Sequence, residues 1–167
     1  MDKWISTTDL NNGVIKETSK KITLKGIEKM GERRKIPKGS ILYSFKLTIG
    51  KMGIVEEDNF YCNEAIAFFK KIKINKKYLW YALKNINYTK QKNLFNSQIG
   101  QALNKSTLAK VKILVPSPED QELVVKRFEQ FESKESEYIK SLENTKRELE
   151  QLFDLVNVIM VENDKEF

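Results

Sequence analysis

Histidine is absent from this sequence of 167 residues. That removes the side chain that most often acts as general base or metal ligand near neutral pH, and with it both familiar hydrolytic triads. Cysteine occurs once, at Cys62, which rules out an internal disulfide and most cysteine metal clusters. The three prolines stand at 37, 116 and 118. None are adjacent, so the Asn/Asp-Pro-Pro-Tyr/Phe motif of amino-group methylation cannot be present. The seven glycines form no phosphate-cradling loop. Apolar runs stay short, as in Ala65-Ile66-Ala67-Phe68-Phe69, and Met1-Asp2-Lys3-Trp4 is not leader-like. Neither a transmembrane span nor a secretory signal is therefore expected, and a cytoplasmic protein is the simplest expectation. Carboxylate or lysine chemistry stays open, but the usual catalytic side chains are missing.

What the chain does have is a divided charge. Residues 1–115 carry 23 Lys and Arg against 9 Asp and Glu, whereas residues 116–167 carry 7 against 14. The first block attracts polyanions, because phosphate neutralisation supplies most non-specific nucleic-acid affinity. The plain alternative is a compositional bias that inflates lysine and asparagine everywhere. Such a bias would have loaded the second block too, and it has not. With 40% hydrophobic residues the chain can bury a core, and its length suits one compact domain with an appendage.

Along the first forty residues, Asn-Asn-Gly, Lys-Gly, Met-Gly and Pro-Lys-Gly mark turns between short elements. "SILYSFKLTIG" alternates, with Ile41, Tyr43, Phe45 and Leu47 on one face, and reads as a strand. Gly50-Lys51 then turns it into "MGIVEE" as a hairpin. "AIAFFKKIKI" reads as a buried strand. From Asn75, a candidate N-cap, Tyr78, Leu79, Ala82, Leu83 and Ile86 recur at helical spacing. Tyr78, Trp80 and Tyr81 could stack on bases, but aromatics on a short helix more often build core. Residues 96–108 read as a polar connection and "AKVKILV" as a strand, with Val111, Ile113 and Val115 on one face.

Pro116-Ser117-Pro118-Glu119-Asp120 is a helix start. Ser117 can cap, Pro118 suits the first helical position, and the two carboxylates complement the positive end of the helix dipole. No helix breaker follows, so a helix from Pro118 to about Asn163 is expected, roughly 70 Å long at 1.5 Å per residue. Stepping by three and four from Gln121 meets Val124, Phe128, Phe131, Glu135, Tyr138, Leu142, Thr145, Leu149, Leu152, Val156 and Ile159. Nine of these twelve positions are apolar. A sustained 3.5-residue period marks a coiled-coil seam, in which polar Glu135 and Thr145 can fix register. A helix that merely covers its own domain is the alternative, but 70 Å outruns a body with a radius of gyration of about 13 Å. The fold class expected is α+β. A mixed basic domain of short strands and helices, residues 1–115, precedes a long pairing helix over 116–167.

In order along the chain, several segments resemble half of a specificity (S) subunit of type I restriction–modification systems. "KWISTTDLNNGVIKETSKKITLKGI" is similar to that family's Trp-Ile-x-x-x-Asp-Leu segment, and "IPKGSILYSFKLTIGKMGIVEED" to its Ile-Pro-Lys-Gly strand and Ile-Gly-Lys hairpin. "CNEAIAFF" stands where Asn-Gln-Ala is usual, and "KYLWYALKN" resembles the Tyr-Leu-x-Tyr-x-Leu helix. "LAKVKILVPSPEDQELVVKRFEQFE" resembles the strand leading to Pro-x-Pro-x-x-x-Gln and the long helix. Two departures from the family pattern lead us to expect a half-subunit short at its N-terminus: the family's recognition domain usually has a further stretch before the Trp-Ile segment, and no second repeat is seen in these 167 residues.

The resemblance implies a non-catalytic reader of double-stranded DNA with no cofactor of its own. Partner modification subunits would carry adenine methylation with S-adenosylmethionine, and a restriction subunit would cleave. A one-repeat chain would form a homodimer through its helix and read a palindromic interrupted site. The alternative is a regulatory half-subunit that pairs with intact subunits without reading DNA.

Candidates for DNA contact are Lys20, Lys21, Arg33, Arg34, Lys46, Lys51, Lys90, Lys92 and Lys105, with the amides of Asn96, Gln98, Gln101 and Asn104 suited to adenine edges. Charge reversal at Arg33 and Arg34 is expected to weaken DNA binding. Candidates for helix pairing are Val124, Phe128, Phe131, Tyr138, Leu142, Leu149, Leu152, Val156 and Ile159. Gly39, Gly50 and Gly100 read as turn residues. Glu56, Glu57 and Asp58 read as a solvated hairpin end rather than a metal site, so no catalytic or metal-binding residue is expected.

Overall fold

The computed structural model describes residues 2–31, 34–46, 48–86 and 105–163, the last part, 155–163, as helical backbone only. Within them the chain separates into two compact units, residues 1–121 and 122–167.

The strands of the first unit are β1 (Asp2–Ile5), β2 (Gly13–Val14), β3 (Lys20–Ile22), β4 (Lys35–Ile36), β5 (Ile41–Ser44), β6 (Met52–Ile54), β7 (Phe60–Cys62) and β8 (Ile66–Phe69). The helices are α1 (Leu24–Met30), α2 (Lys76–Lys84), α3 (Lys105–Leu108) and α4 (Pro118–Asn163). Among the described residues the strands form two sheets of four, ordered β3-β1-β7-β4 and β2-β6-β5-β8. Two pairings are parallel, β1 with β7 (Lys3 opposite Phe60) and β2 with β6 (Gly13 opposite Gly53). The architecture is α+β, with a long C-terminal helix.

Alternation along β5 explains the layering, since successive side chains point to opposite faces. Leu42 enters a core with Ile5, Leu10, Ile15, Ile36, Val55, Phe60, Cys62 and Ile66, residues of both sheets. Ile41 and Tyr43 point the other way, into a core with Met52, Leu79 and Leu83 on which Trp80, Phe69 and Ile113 pack. The second sheet is therefore buried on both faces, between the first sheet and α2. In β6 the same alternation aims position 53 at the first core. A Cβ there would run into the Ile15 side chain and lie 3.1 Å from Leu10 Cδ2, so glycine is required.

The β5–β6 hairpin forms as its sequence indicates, with Leu42 opposite Gly53 and Gly50 at φ +90° in the turn. The strand stops at Ser44, earlier than the alternating run. There the Ser44 hydroxyl donates to Thr48 O and accepts from Lys51 N, closing the connection on itself. Leu47 lies outside the described residues. Lys25-Gly26 is not a turn but part of α1, which Thr23 caps by accepting from Gly26 N at 3.2 Å.

Asn75 caps α2, its side chain accepting from Lys77 N at 2.9 Å and Tyr78 N at 3.1 Å. Tyr78 and Tyr81 are buried, which places them in the scaffold rather than on a base-stacking surface. The stretch 109–115 corrects a sequence expectation, because it forms no strand. Among the described residues it pairs with no strand of either sheet, and Leu114 is 81% exposed. Side chains hold the carbonyls at its end instead: Tyr78 Oη donates to Leu114 O at 2.8 Å, and Gln121 Nε2 to the O of the next residue, Pro116, at 2.8 Å. Ser117 begins α4 by accepting from Asp120 N at 3.2 Å while donating to Asp120 Oδ2 at 2.9 Å.

Candidate nucleic-acid interface

Three sequence-selected cations from distant parts of the chain meet in one groove. Arg34 precedes β4, Lys46 follows β5 and Lys105 opens α3; together with Lys70 after β8 they line a depression of about 630 Å³. Its floor is Phe45, Ile66, Ala67 and Phe68, and Glu64 is its one carboxylate. Arg34 is the fixed member, its Nη1 donating to Asn63 O at 3.3 Å. Asn63 is itself locked, since its amide donates to Ile5 O and its side chain accepts from Ala65 N at 3.0 Å.

Among the described residues, none of Lys46, Glu64, Lys70 and Lys105 is in an ion pair. The groove thus keeps a net positive field, and its low-dielectric walls concentrate that field on an anion.

The other candidates lie elsewhere or outside the description. Lys20 and Lys21 are exposed on β3, an edge of the first sheet, opposite Trp4 and Lys3. Lys51 is half-buried at the start of the hairpin's return strand. Arg33, Lys90, Lys92, Asn96, Gln98, Gln101 and Asn104 lie outside the described residues, as does Gly100. Lys70 was missed because nothing in "FFKKIK" distinguishes it from its lysine neighbours. Only the fold sets it on the same depression as Arg34 and Lys46, at the other end of the β5–β8 pair from Lys46.

Burial pushes the Cys62 thiol up to about 11, the Arg34 guanidinium pulling weakly the other way, so the thiolate nucleophile is disfavoured. Glu57 pairs with Lys3 at 3.5 Å, and Asp58 accepts from Lys38 N at 2.8 Å. No set of three acidic or cysteine side chains suited to a metal occurs among the described residues. No helix there is long and apolar enough to cross a membrane.

On α4, the seam residues Phe131, Tyr138, Leu142, Leu149 and Leu152 are between 50% and 72% exposed. Val124 and Phe128 are half-buried, and the side chains of Val156 and Ile159 lie outside the description. Thr145 satisfies itself along the helix, its hydroxyl donating to Ser141 O at 3.1 Å.

Comparison with known proteins places these features in a context. One solved chain, from a structure concerned with complex assembly and conformational transition of the type I R-M system, aligns with a TM-score of 0.65 at 14% identity. The alignment covers 90% of this chain and 36% of that one, so this chain spans about a third of its length. At such low identity the likeness establishes the fold alone. Among curated proteins, none matched. The family model for the type I restriction modification DNA specificity domain matches residues 1–151. The chain belongs to that family of specificity domains.

Proposed function

We propose that this chain reads DNA sequence for a type I restriction–modification enzyme without catalysing a reaction itself. The carrying observation is the groove in which Arg34, Lys46, Lys70 and Lys105 converge without an ion pair to Glu64. A duplex carries one phosphate charge per about 1.7 Å, and cations in no ion pair can neutralise it with no salt bridge to break first. Arg34, held by Asn63 O, would fix the register of the backbone. Glu64 would be repelled by phosphate, and its chemistry suits a base edge such as the amino group of cytosine.

The exposed seam of α4 supports the second half of the reading. Two such helices, paired antiparallel in a homodimer, would separate two half-sites and dock modification subunits, which would bring the S-adenosylmethionine and the adenine methylation. A restriction subunit would join the same assembly. Apolar side chains at a 3.5-residue period are what such a partner requires.

The test is selection of the full chain against a random duplex library, followed by binding titrations with the enriched sequence. Log K falls by about 0.9 per phosphate contact for each decade of salt, so each lost contact costs roughly a factor of eight near 0.1 M salt. The pair Lys46→Glu and Lys105→Glu is expected to weaken binding by roughly fifty-fold or more. Enrichment of no sequence by the wild-type chain would overturn DNA reading and favour a regulatory half-subunit. Sedimentation showing a monomer at high concentration would overturn the paired helix.

A further inference from the structure

A second basic depression, of about 480 Å³, lies on the same unit and contains none of the residues selected from the sequence for DNA contact. It is formed by the Pro37-Lys38-Gly39-Ser40 turn on one side and the chain leaving β8, residues 69–76, on the other. Lys38, Lys70, Lys71 and Lys76 line it, and no carboxylate does. Among the described residues none of these four lysines is in an ion pair. Lys70 lines both depressions, so they meet at the end of β8, a free edge of the second sheet.

The walls are built rather than loose. The turn is held from behind, where Lys38 N donates to Asp58 Oδ1 at 2.8 Å, Gly39 N to Val55 O at 2.7 Å and Ser40 Oγ to Pro37 O at 2.6 Å. Gly39 has φ +78°, and a Cβ built there would lie 3.6 Å from Lys76 Nζ, so that ammonium approaches the bare turn. Opposite, Lys71 is held at φ +55°. A lysine in the left-handed region carries a backbone penalty of about 1 kcal/mol or more that a purely solvated position would have no reason to retain.

We propose that this second depression is a phosphodiester-backbone site, continuous through Lys70 with the first, so that one duplex lies across the end of β8. The inference rests on the DNA reading proposed above and assigns the two depressions different roles. The first contains a carboxylate and can discriminate between bases. The second holds only ammonium groups as charged liners. It contributes affinity without sequence information, because a lysine ammonium meets phosphate as a point charge.

The experiment compares the full chain with the triple variant Lys38→Gln, Lys71→Gln, Lys76→Gln, keeping the shared Lys70. A control triple, Lys16→Gln, Lys25→Gln, Lys29→Gln, alters three exposed lysines elsewhere and changes the net charge equally. Dissociation constants are measured on the enriched duplex and on a scrambled one across a range of salt. The site triple is expected to flatten the slope of log K against log salt by about 2.7, three contacts at about 0.9 each. It should weaken both duplexes alike, by up to roughly 500-fold near 0.1 M salt, and leave the enriched sequence unchanged. The control triple should leave the slope near that of the wild type. Equal slopes for the two triples, or a changed sequence preference in the site triple, would overturn the assignment. Should the site triple fail to fold, the single variants Lys38→Gln and Lys76→Gln carry the test, each expected to lower the slope by about 0.9. A wild-type chain that binds no DNA refutes the reader and this site together; a wild-type binder with an unaltered slope in the variants refutes only this site.

Discussion

Replacing Gln121 tests whether its side chain latches the start of α4 to the N-cap of α2. Gln121 is buried, and both ends of its amide are used. Oε1 accepts from Asn75 N at 2.9 Å, and Nε2 donates to Pro116 O at 2.8 Å. Each hydrogen bond is worth about 1 kcal/mol net, and each buried group left unpaired adds a desolvation penalty of about 1–3 kcal/mol unless water reaches it. Gln121→Ala is therefore expected to lose ~2–4 kcal/mol by urea denaturation.

Gln121→Met keeps the volume and removes both hydrogen bonds, so it should lose nearly as much. The difference between the two variants reads the cavity alone. Gln121→Glu gives the sign. Its carboxylate still accepts from Asn75 N but faces the Pro116 carbonyl, and only the protonated form can donate there. The folded-state value is thus raised above the ordinary ~4.3 for glutamate. The deficit should be complete at neutral pH and shrink as pH falls through that raised value. Alanine and methionine variants both within ~0.5 kcal/mol of wild type would refute the latch.

Three further outcomes can be checked on the same chain. Gly53→Ala should destabilise by ~1–3 kcal/mol in urea, because the added methyl meets Ile15 and Leu10 in a filled core. Asp9 feels some burial, but hydrogen bonds from Ser6 and Ser19 outweigh it and hold its carboxyl below the ordinary value of 3.8. Its contribution is present above that value and lost as pH falls through the lower folded one, so Asp9→Asn should flatten the acid limb of stability against pH. For Cys62 the sign is opposite: the unfolded thiol ionises near 9 and the buried one near 11. Stability should fall as pH rises through that window, by up to about 1.4 kcal/mol per unit, and Cys62→Ala should remove that component of the alkaline decline.

The elements legible in the sequence were those whose signals are local. The Ser117 cap, the breaker-free run to Asn163 and the Asn75 cap each depend on side chains within a few residues, and each stands as read. The hairpin was equally legible, because Gly50 and two short apolar runs suffice to specify it. Pairings over long separations left no such mark. Nothing in "DKWI" announces a parallel partner at Phe60–Cys62, and "AKVKILV" has a strand's alternation but joins neither sheet. Gln121 served only as the start of the seam count, yet it is a structural anchor. The quoted motif residues Ile5, Asp9, Leu10 and Ile36 likewise turn out to be core and loop clamps. Of the interface, Arg34, Lys46 and Lys105 were selected for charge alone, while Lys38, Lys70, Lys71 and Lys76 were passed over. A groove exists only once separate segments are folded against each other.

The parallel pairing of β1 with β7 also dictates an order of assembly. The β5–β6 hairpin joins strands only a few residues apart, and β1 can meet β3 as soon as Ile22 is available opposite Asp2. The first sheet stays incomplete until Phe60–Cys62 inserts between β1 and β4. Contacts so distant in sequence carry a larger chain-closure entropy and form late. In pulsed hydrogen exchange during refolding, amides of β5 and β6 should gain protection before those of β1 and β7. Simultaneous protection would contradict this order. Asn63, whose carbonyl receives Arg34, directly follows β7, so the candidate groove is complete only once this late strand has docked. A partly folded chain would then expose its lysines with no organised site, and tight binding would itself report that the fold is finished.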